Sequence, residues 1–115
     1  MAYTNLKYLQ TITEGDTASI REIVLLFLEQ VPEFIHNLKK FLEEKRYIEL
    51  GNEAHKAKSS VMILGMEELG HDLKVLQLAT ISKTGVENYA KHVKRFEEEC
   101  LIAVKELEQA LIEMS

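Results

Sequence analysis

His55 has surroundings that suit nucleophilic chemistry at an exposed imidazole. Lys56 follows it directly, and Lys58 comes one helical turn later. Neighbouring ammonium groups disfavour the protonated ring, which preserves its lone pair, and they offer hydrogen-bond donors to an incoming phosphoryl group. A solvated surface histidine between two solvated lysines is the alternative that this spacing leaves open.

The segment around His55 is predicted to be a helix that presents the imidazole to solvent. One face carries apolar residues at spacings of four, three, four and three, namely Leu50, Ala54, Ala57, Val61 and Leu64. At about 100° per residue that face is buried, and His55 lies on the far side of the helix. The residues predicted to accompany it there are Gly51, Asn52, Lys58, Ser59 and Met62. Small side chains at positions 51, 54, 57, 59 and 60 would let a partner approach the ring closely.

The same periodicity predicts two helices before this segment. Leu6, Leu9 and Ile12 recur at helical spacing behind Thr4 as a cap, which predicts a short first helix that ends near the Gly15-Asp16 turn. Asp16 is predicted to cap a long second helix, whose apolar stripe runs through residues 20–42. Pro32 lies inside that stripe, and we expect it to kink or break the helix because it lacks an amide donor.

Three further helices are predicted after residue 46. The third helix covers residues 47–65, and the fourth starts near Glu67 and stops in the turn-forming residues 82–85. The apolar seam of the fourth helix consists of Leu69, Leu73 and Leu76. Thr84 and Glu87 have the spacing of a capping box, so the last helix is predicted to start there and to run almost to the C-terminus.

Long amphipathic helices joined by short connections favour antiparallel neighbours. The expected fold is therefore all-α, an up-down-up-down antiparallel four-helix bundle with a short extra N-terminal helix. With 115 residues, 46% of them hydrophobic, the chain is long enough for one core. We expect a single domain over residues 1–115.

Charge and composition restrict the functional classes. A formal net charge of -5 argues against a general nucleic-acid binder, which needs a basic face. The single cysteine, Cys100, lies among apolar helical positions and is predicted to be a buried, reduced thiol. Residues 1–5 lack the features of a signal peptide, and no apolar run approaches membrane-spanning length. We therefore expect a cytoplasmic protein without a membrane partner.

Two Glu-x-x-His pairs have the ligand spacing of di-iron carboxylate bundles. They are Glu33 with His36 and Glu68 with His71. Helical phase turns both pairs away from the core, so no metal site is predicted. His92 and the acidic residues 97–99, 106 and 108 are predicted to be ordinary solvated positions of the last helix.

The sequence carries no signature of an enzyme with independent turnover. It has no Gly-rich phosphate loop, no nucleotide-binding motif, and no Ser or Cys nucleophile paired with a base.

Residues 54–65, Ala-His-Lys-Ala-Lys-Ser-Ser-Val-Met-Ile-Leu-Gly, resemble a known signature. It is the phosphoacceptor motif of histidine phosphotransfer (HPt) domains, His-x-x-Lys-Gly-Ser/Ala ending in Leu-Gly. The resemblance extends over nearly the whole chain through Gly15-Asp16, through Pro32-Glu33 and through the leucine seam after Gly65. The sequence departs from the motif at Ser59, where the family usually has glycine.

This resemblance implies roles for individual residues. His55 would accept the phosphoryl group on its outer ring nitrogen, and Lys58 would stabilise the phosphoryl charge. Gln77 falls where many family members place a glutamine that orients the histidine, although a polar residue at the edge of the bundle is an equal alternative. Ser59 would offer a hydroxyl to the phosphate. The residues expected to contact the partner are Lys56, Asn52 and Met62, with Leu6 and Ile12 as weaker candidates.

The resemblance also implies a function and partners. The chain would relay a phosphoryl group between the aspartates of response-regulator receiver domains, and it would also meet a hybrid sensor histidine kinase. It would need no cofactor of its own, because the receiver holds the Mg²⁺, and it would act as a monomer. The alternative is a helical module that binds a receiver or another protein without accepting phosphate.

Overall fold

Residues 3–114 are described by a computed structural model, and all regular structure among them is helical. The helices are α1 (Lys7–Ile12), α2 (Thr17–Glu43), α3 (Tyr47–Ile63), α4 (Glu67–Ser82) and α5 (Tyr89–Met114), with a 3-10 turn at Val86–Asn88. They pack into a body of 44 × 24 × 21 Å. The all-α prediction is therefore confirmed, including the short first helix.

The beginning of α2 follows the sequence prediction. Asp16 caps it by accepting a hydrogen bond from the backbone N–H of Ser19 at 3.3 Å. Two hydrogen bonds lower the pKa of the Asp16 carboxyl, the larger effect coming from the Ser19 hydroxyl and the smaller from this N–H. At Pro32 we expected a kink or a break, and α2 continues through the proline, so the helix does not break there. Val31 and Phe34 are buried on either side of this exposed proline, so core packing offsets the missing amide hydrogen bond.

Thr4 does not cap α1. Its hydroxyl donates to the carboxylate of Glu106 on α5 at 2.9 Å, and the Asn5 side chain accepts the N–H of Lys7 instead. Glu106 was predicted to be solvated, but it is half-buried and also accepts the backbone N–H groups of Tyr3 and Thr4. Burial would raise the pKa of Glu106, but these hydrogen bonds outweigh it and lower the pKa below its usual value.

The prediction of a capping box before the last helix is also wrong. The Thr84 hydroxyl lies 2.9 Å from the Ser82 hydroxyl and caps no helix. Gly85 has a φ of 65°, a conformation that glycine adopts without strain, and it leads into the 3-10 turn. The chain therefore enters α5 through this turn at Tyr89.

The buried residues form one core to which all five helices contribute. Phe34 of α2 and Phe96 of α5 meet edge to face with ring centroids 6.3 Å apart. The Tyr89 hydroxyl donates to the Ala79 carbonyl at 3.0 Å. None of the helices between residues 3 and 114 combines the length and the apolar character that a bilayer crossing requires.

Two glycines bring α3 and α4 unusually close. A Cβ at Gly51 would overlap Thr80 Oγ1, and a Cβ at Gly70 would overlap the thioether of Met62. These contacts pair the beginning of α3 with the end of α4, so the two helices run in opposite directions. Gly51 was predicted to lie on the exposed face beside His55, and this prediction is wrong. The close approach of α4 buries it.

We expect Leu73→Ala to lower the free energy of unfolding by about 2 to 5 kcal/mol, because Leu73 is 0% exposed in the core. Leu78→Ala on the same helix is the matched control, since Leu78 is 51% exposed and its truncation should cost less than about 0.5 kcal/mol. Urea denaturation measures both variants. Equal losses would show that the phase of α4 is wrong.

Gly51→Ala tests the close packing of α3 against α4. The added methyl overlaps Thr80 Oγ1, so we expect the free energy of unfolding to fall by a net amount on the order of 1 to 3 kcal/mol. This loss outweighs the higher helix propensity of alanine, which favours it over glycine by about 1 kcal/mol. Thr80→Ala removes the overlapping atom. Gly51→Ala/Thr80→Ala should therefore be more stable than the two single losses predict. Additive losses in urea denaturation would contradict this packing.

Candidate functional site

His55 lies on the exposed side of α3, at its boundary with α4. Its Nδ1 is 3.2 Å from Oε1 of Gln77, which is half-buried on α4. A carbonyl oxygen only accepts hydrogen bonds, so this contact requires the ring proton to be on Nδ1. In the neutral ring, Nε2 then carries the lone pair. The structure thus brings together the two residues that the sequence predicted as nucleophile and orienting group.

The close packing of α3 on α4 is what makes this contact possible. Gly51 precedes His55 by one turn and removes the side-chain atoms that would hold the helices apart. Thr80, which faces Gly51, donates its hydroxyl to the carbonyl of Gln77 at 2.6 Å. Thr80 therefore makes both contacts: it packs against Gly51 between the helices, and it hydrogen-bonds the backbone that carries Gln77.

The two lysines near His55 have different surroundings. The Lys56 ammonium lies 3.7 Å from the carboxylate of Glu53, a buried residue that also accepts a hydrogen bond from Asn37 at 3.0 Å. Lys58 is half-buried on the side of α3 that faces α4. Within residues 3–114 no carboxylate lies within 4.0 Å of its ammonium group. The Lys58 ammonium is therefore available to pair with an external anion, whereas the Lys56 ammonium already pairs with Glu53.

Ser59 and Asn52 are both exposed beside His55. The Ser59 hydroxyl donates to the backbone carbonyl of His55 at 3.3 Å, so it turns back onto its own helix. Its predicted contact with phosphate would require a different rotamer. Asn52 lies one turn before His55, at the edge of the exposed face.

Met62 closes one side of the His55 face. It is 42% exposed, and its thioether packs against Gly70 of α4. A cleft runs from Met62 to Tyr8 of α1, which the sequence analysis did not single out. The hydrogen bond from the Asn5 N–H to the Leu64 carbonyl, 2.8 Å long, ties the beginning of α1 to the end of α3. Sequence periodicity carries no signal for a contact of this kind.

Two exposed isoleucines lie on the other side of His55. Ile48 is 75% exposed and precedes His55 by two turns of α3, and Ile81 is 68% exposed and follows Gln77 by one turn of α4. Neither belongs to the buried stripe of its helix. Their exposure adds an apolar rim that sequence reasoning missed, although large apolar residues out of phase with the core were the available signal.

The stretches of α3 and α4 around His55 and Gln77 are free of acidic residues. Neither residues 54–66 of α3 and the following turn nor residues 73–86 of α4 and the following loop contain Asp or Glu, although the whole chain has 19 of them. The lysines in these two stretches are Lys56, Lys58, Lys74 and Lys83. A protein with a net charge of -5 therefore presents a locally cationic surface at its exposed imidazole.

The remaining histidines have other surroundings. His36 and His71 are exposed, as are Glu33 and Glu68, which agrees with the predicted outward phase. No cluster of three ligand side chains suited to a metal occurs in the part of the chain that the structure describes. His92 is not an ordinary surface residue as predicted, because its Nδ1 lies 2.9 Å from the Asp72 carboxylate and both side chains are largely buried.

The α5 helix also contains side chains that the sequence placed in solvent. Glu99 pairs with Arg95, which raises the pKa of the guanidinium, and Glu97 pairs with Lys39 of α2 at 2.9 Å. Cys100 is buried as predicted, and burial raises the pKa of its thiol to about 12. The thiol is therefore protonated at neutral pH and unreactive. These residues hold α5 in place and lie outside the His55 face.

The chain was compared with known proteins in three ways. No family model, no curated protein and no solved structure matched it. The chemistry of the site therefore follows from the groups described above, an exposed imidazole held by an amide oxygen within a carboxylate-free cationic face.

Proposed function

We propose that this chain is a histidine phosphotransfer protein that carries a phosphoryl group on Nε2 of His55. The observation that carries the proposal is the contact between His55 Nδ1 and Gln77 Oε1 on an exposed face without acidic residues. An ordinary solvated histidine needs neither a half-buried amide acceptor nor the removal of carboxylates from its surroundings. The HPt-like motif in residues 54–65 supports the same function.

The donor in this proposal is the aspartyl phosphate of a receiver domain. The Nε2 lone pair attacks phosphorus, and the bond between phosphorus and the aspartate oxygen breaks with its electron pair, which restores the receiver carboxylate. The proton stays on Nδ1, and Nδ1–H donates a hydrogen bond to Gln77 Oε1. The product is an N-phosphorylated, positively charged imidazole. Attack on this phosphorus by the carboxylate of a second receiver reverses the step and completes the relay.

The groups present suit this transfer. An acyl phosphate is already activated, so alignment and charge stabilisation are the main requirements. Gln77 supplies the alignment, and Lys58 supplies positive charge near the transferred phosphoryl group. In the relay the receiver brings Mg²⁺ in its own acidic pocket, and this chain contributes a surface that attracts such a pocket. The apolar residues Met62, Ile48 and Ile81 would seat the receiver around His55.

The pairing of the helices supports the finer fold expected for this function. Asn37 meets Glu53 and Gln30 meets Ser60 between α2 and α3, in reverse order along the two helices. Asp72 meets His92 between α4 and α5. Together with the reverse pairing of α3 and α4, these contacts favour an up-down-up-down four-helix bundle with α1 added at one end. We propose a monomeric, cytoplasmic component of signal transduction with this architecture.

Incubation with a ³²P-labelled receiver domain tests the proposal. We expect label to reach the wild-type protein and to be lost with His55→Gln, because only His55 has the required surroundings. His71→Gln is the matched control, since it removes another exposed helical histidine and should leave labelling unchanged. If wild-type protein binds the receiver without taking up label, the chain is a non-phosphorylated interaction module. Full labelling of His55→Gln would also reject the proposal.

Variants of Gln77 test the orienting hydrogen bond. Gln77→Leu removes the acceptor for Nδ1–H, so we expect the rate of transfer to fall by up to about tenfold. Gln77→Glu places a carboxylate beside the ring and favours the doubly protonated imidazole, so its rate should recover at higher pH. Gln30→Leu, which removes another half-buried glutamine, is the control. Transfer rates are measured from about pH 6 to about pH 9, because histidine titrates between about pH 5 and 8 and a neighbouring carboxylate moves that titration upwards. A common pH profile for wild type and Gln77→Glu would contradict the orienting role.

A further inference from the structure

We propose that Lys74 of α4 is a second cation that holds the phosphoryl group on His55, opposite Lys58 of α3. This inference rests on the proposed function and adds a residue outside the phosphoacceptor motif. It makes the phosphate site a clamp between two helices. Its basis is the alignment of α3 with α4 and the distribution of charge on their shared face.

Three contacts define the alignment of the two helices. Gly51 faces Thr80, His55 faces Gln77, and Met62 faces Gly70. Between the last two pairs, seven residues forward along α3 correspond to seven residues back along α4. On this alignment residue 74 stands level with residue 58. Lys74 and Lys58 therefore occupy equivalent places on the two sides of the same groove.

The side chains also lie on the correct faces. Lys74 is one turn before Gln77, so both are on the side of α4 next to α3. Lys58 is one turn after His55 on the side of α3 next to α4. Lys74 is exposed and Lys58 is half-buried, which leaves the Lys74 ammonium free to move towards a group on His55.

The charges around Lys58 and Lys74 favour an anion bound between them. Neither lysine has an acidic residue three or four positions away on its own helix, and within residues 3–114 no carboxylate lies within 4.0 Å of either ammonium group. Two like charges at one level of adjacent helices repel each other, and an anion between them offsets this repulsion. A phosphoryl group carries close to two negative charges on its outer oxygens. The positive charge of the phosphorylated imidazole lies on the ring side of the phosphorus, so Lys58 and Lys74 are the cations that would contact these oxygens from the two helices. Lys56 does not fill this role because Glu53 already pairs with it.

The experiment uses phosphoramidate, a small phosphodonor that phosphorylates histidine without a receiver. Wild type, Lys74→Gln and Lys74→Arg are phosphorylated at His55, and the pH titration of the ³¹P chemical shift is recorded at low salt. Loss of a nearby cation disfavours the dianionic phosphoryl group. We therefore expect the midpoint in Lys74→Gln to rise by roughly 0.2 to 0.7 pH units, with recovery in Lys74→Arg. The difference should shrink at high ionic strength.

Lys91→Gln, which removes an exposed lysine of α5, is the matched control and should titrate like wild type. A Lys74→Gln midpoint equal to that of wild type overturns the inference, as does failure of phosphoramidate to label His55. The receiver assay separates the two proposals. A normal Lys74→Gln midpoint with efficient transfer rejects the role of Lys74 alone, and a shifted midpoint without transfer from any receiver rejects the relay but keeps the clamp.

Discussion

The close approach of α3 to α4 is the constraint on which the site depends. Gly51 and Gly70 leave no Cβ between the helices, and the space is taken by Thr80 and Met62 from the opposite helix. Only at this separation does the Gln77 amide reach the His55 ring while remaining half-buried. Larger residues at the glycine positions would widen the groove and leave the imidazole without its acceptor.

The core and the site are therefore linked through backbone positions, although His55 itself makes no contribution to the core. Leu50, Ala54, Ala57 and Val61 fix α3 against the rest of the protein, and the imidazole projects from the edge of that surface. This arrangement lets the ring react without disturbing packed side chains. The proposed phosphoacceptor is also supported from α4, because the Gln77 amide oxygen contacts the exposed ring from the neighbouring helix.

Most of the fold could be predicted from the sequence because it depends on local periodicity. The bounds of α3 and α4 and the burial of Leu73 follow from the three- and four-residue spacing of apolar side chains. The cap of α2 follows from the residue type of Asp16 in front of the helix. Errors arose where a distant partner decided the outcome. Thr4 and Glu106 are 102 residues apart, and no pattern along the chain links them. Gly51 was misplaced because phase alone does not tell which flank of a helix meets a close neighbour.

The electrostatic design of the face depends on where carboxylates are missing, which neither composition nor net charge reveals. Nineteen acidic residues give the chain its charge of -5, yet two stretches without any lie side by side once α3 and α4 pair. In the proposed relay, the cations in this gap would attract a phosphoryl group, and their exposure to water would keep each attraction weak. A reversible carrier needs this balance, because a site that bound phosphate through buried ion pairs would accept it and then release it too slowly to a second partner. Solvent-exposed lysines around a fixed imidazole therefore suit a relay better than a deeper pocket would.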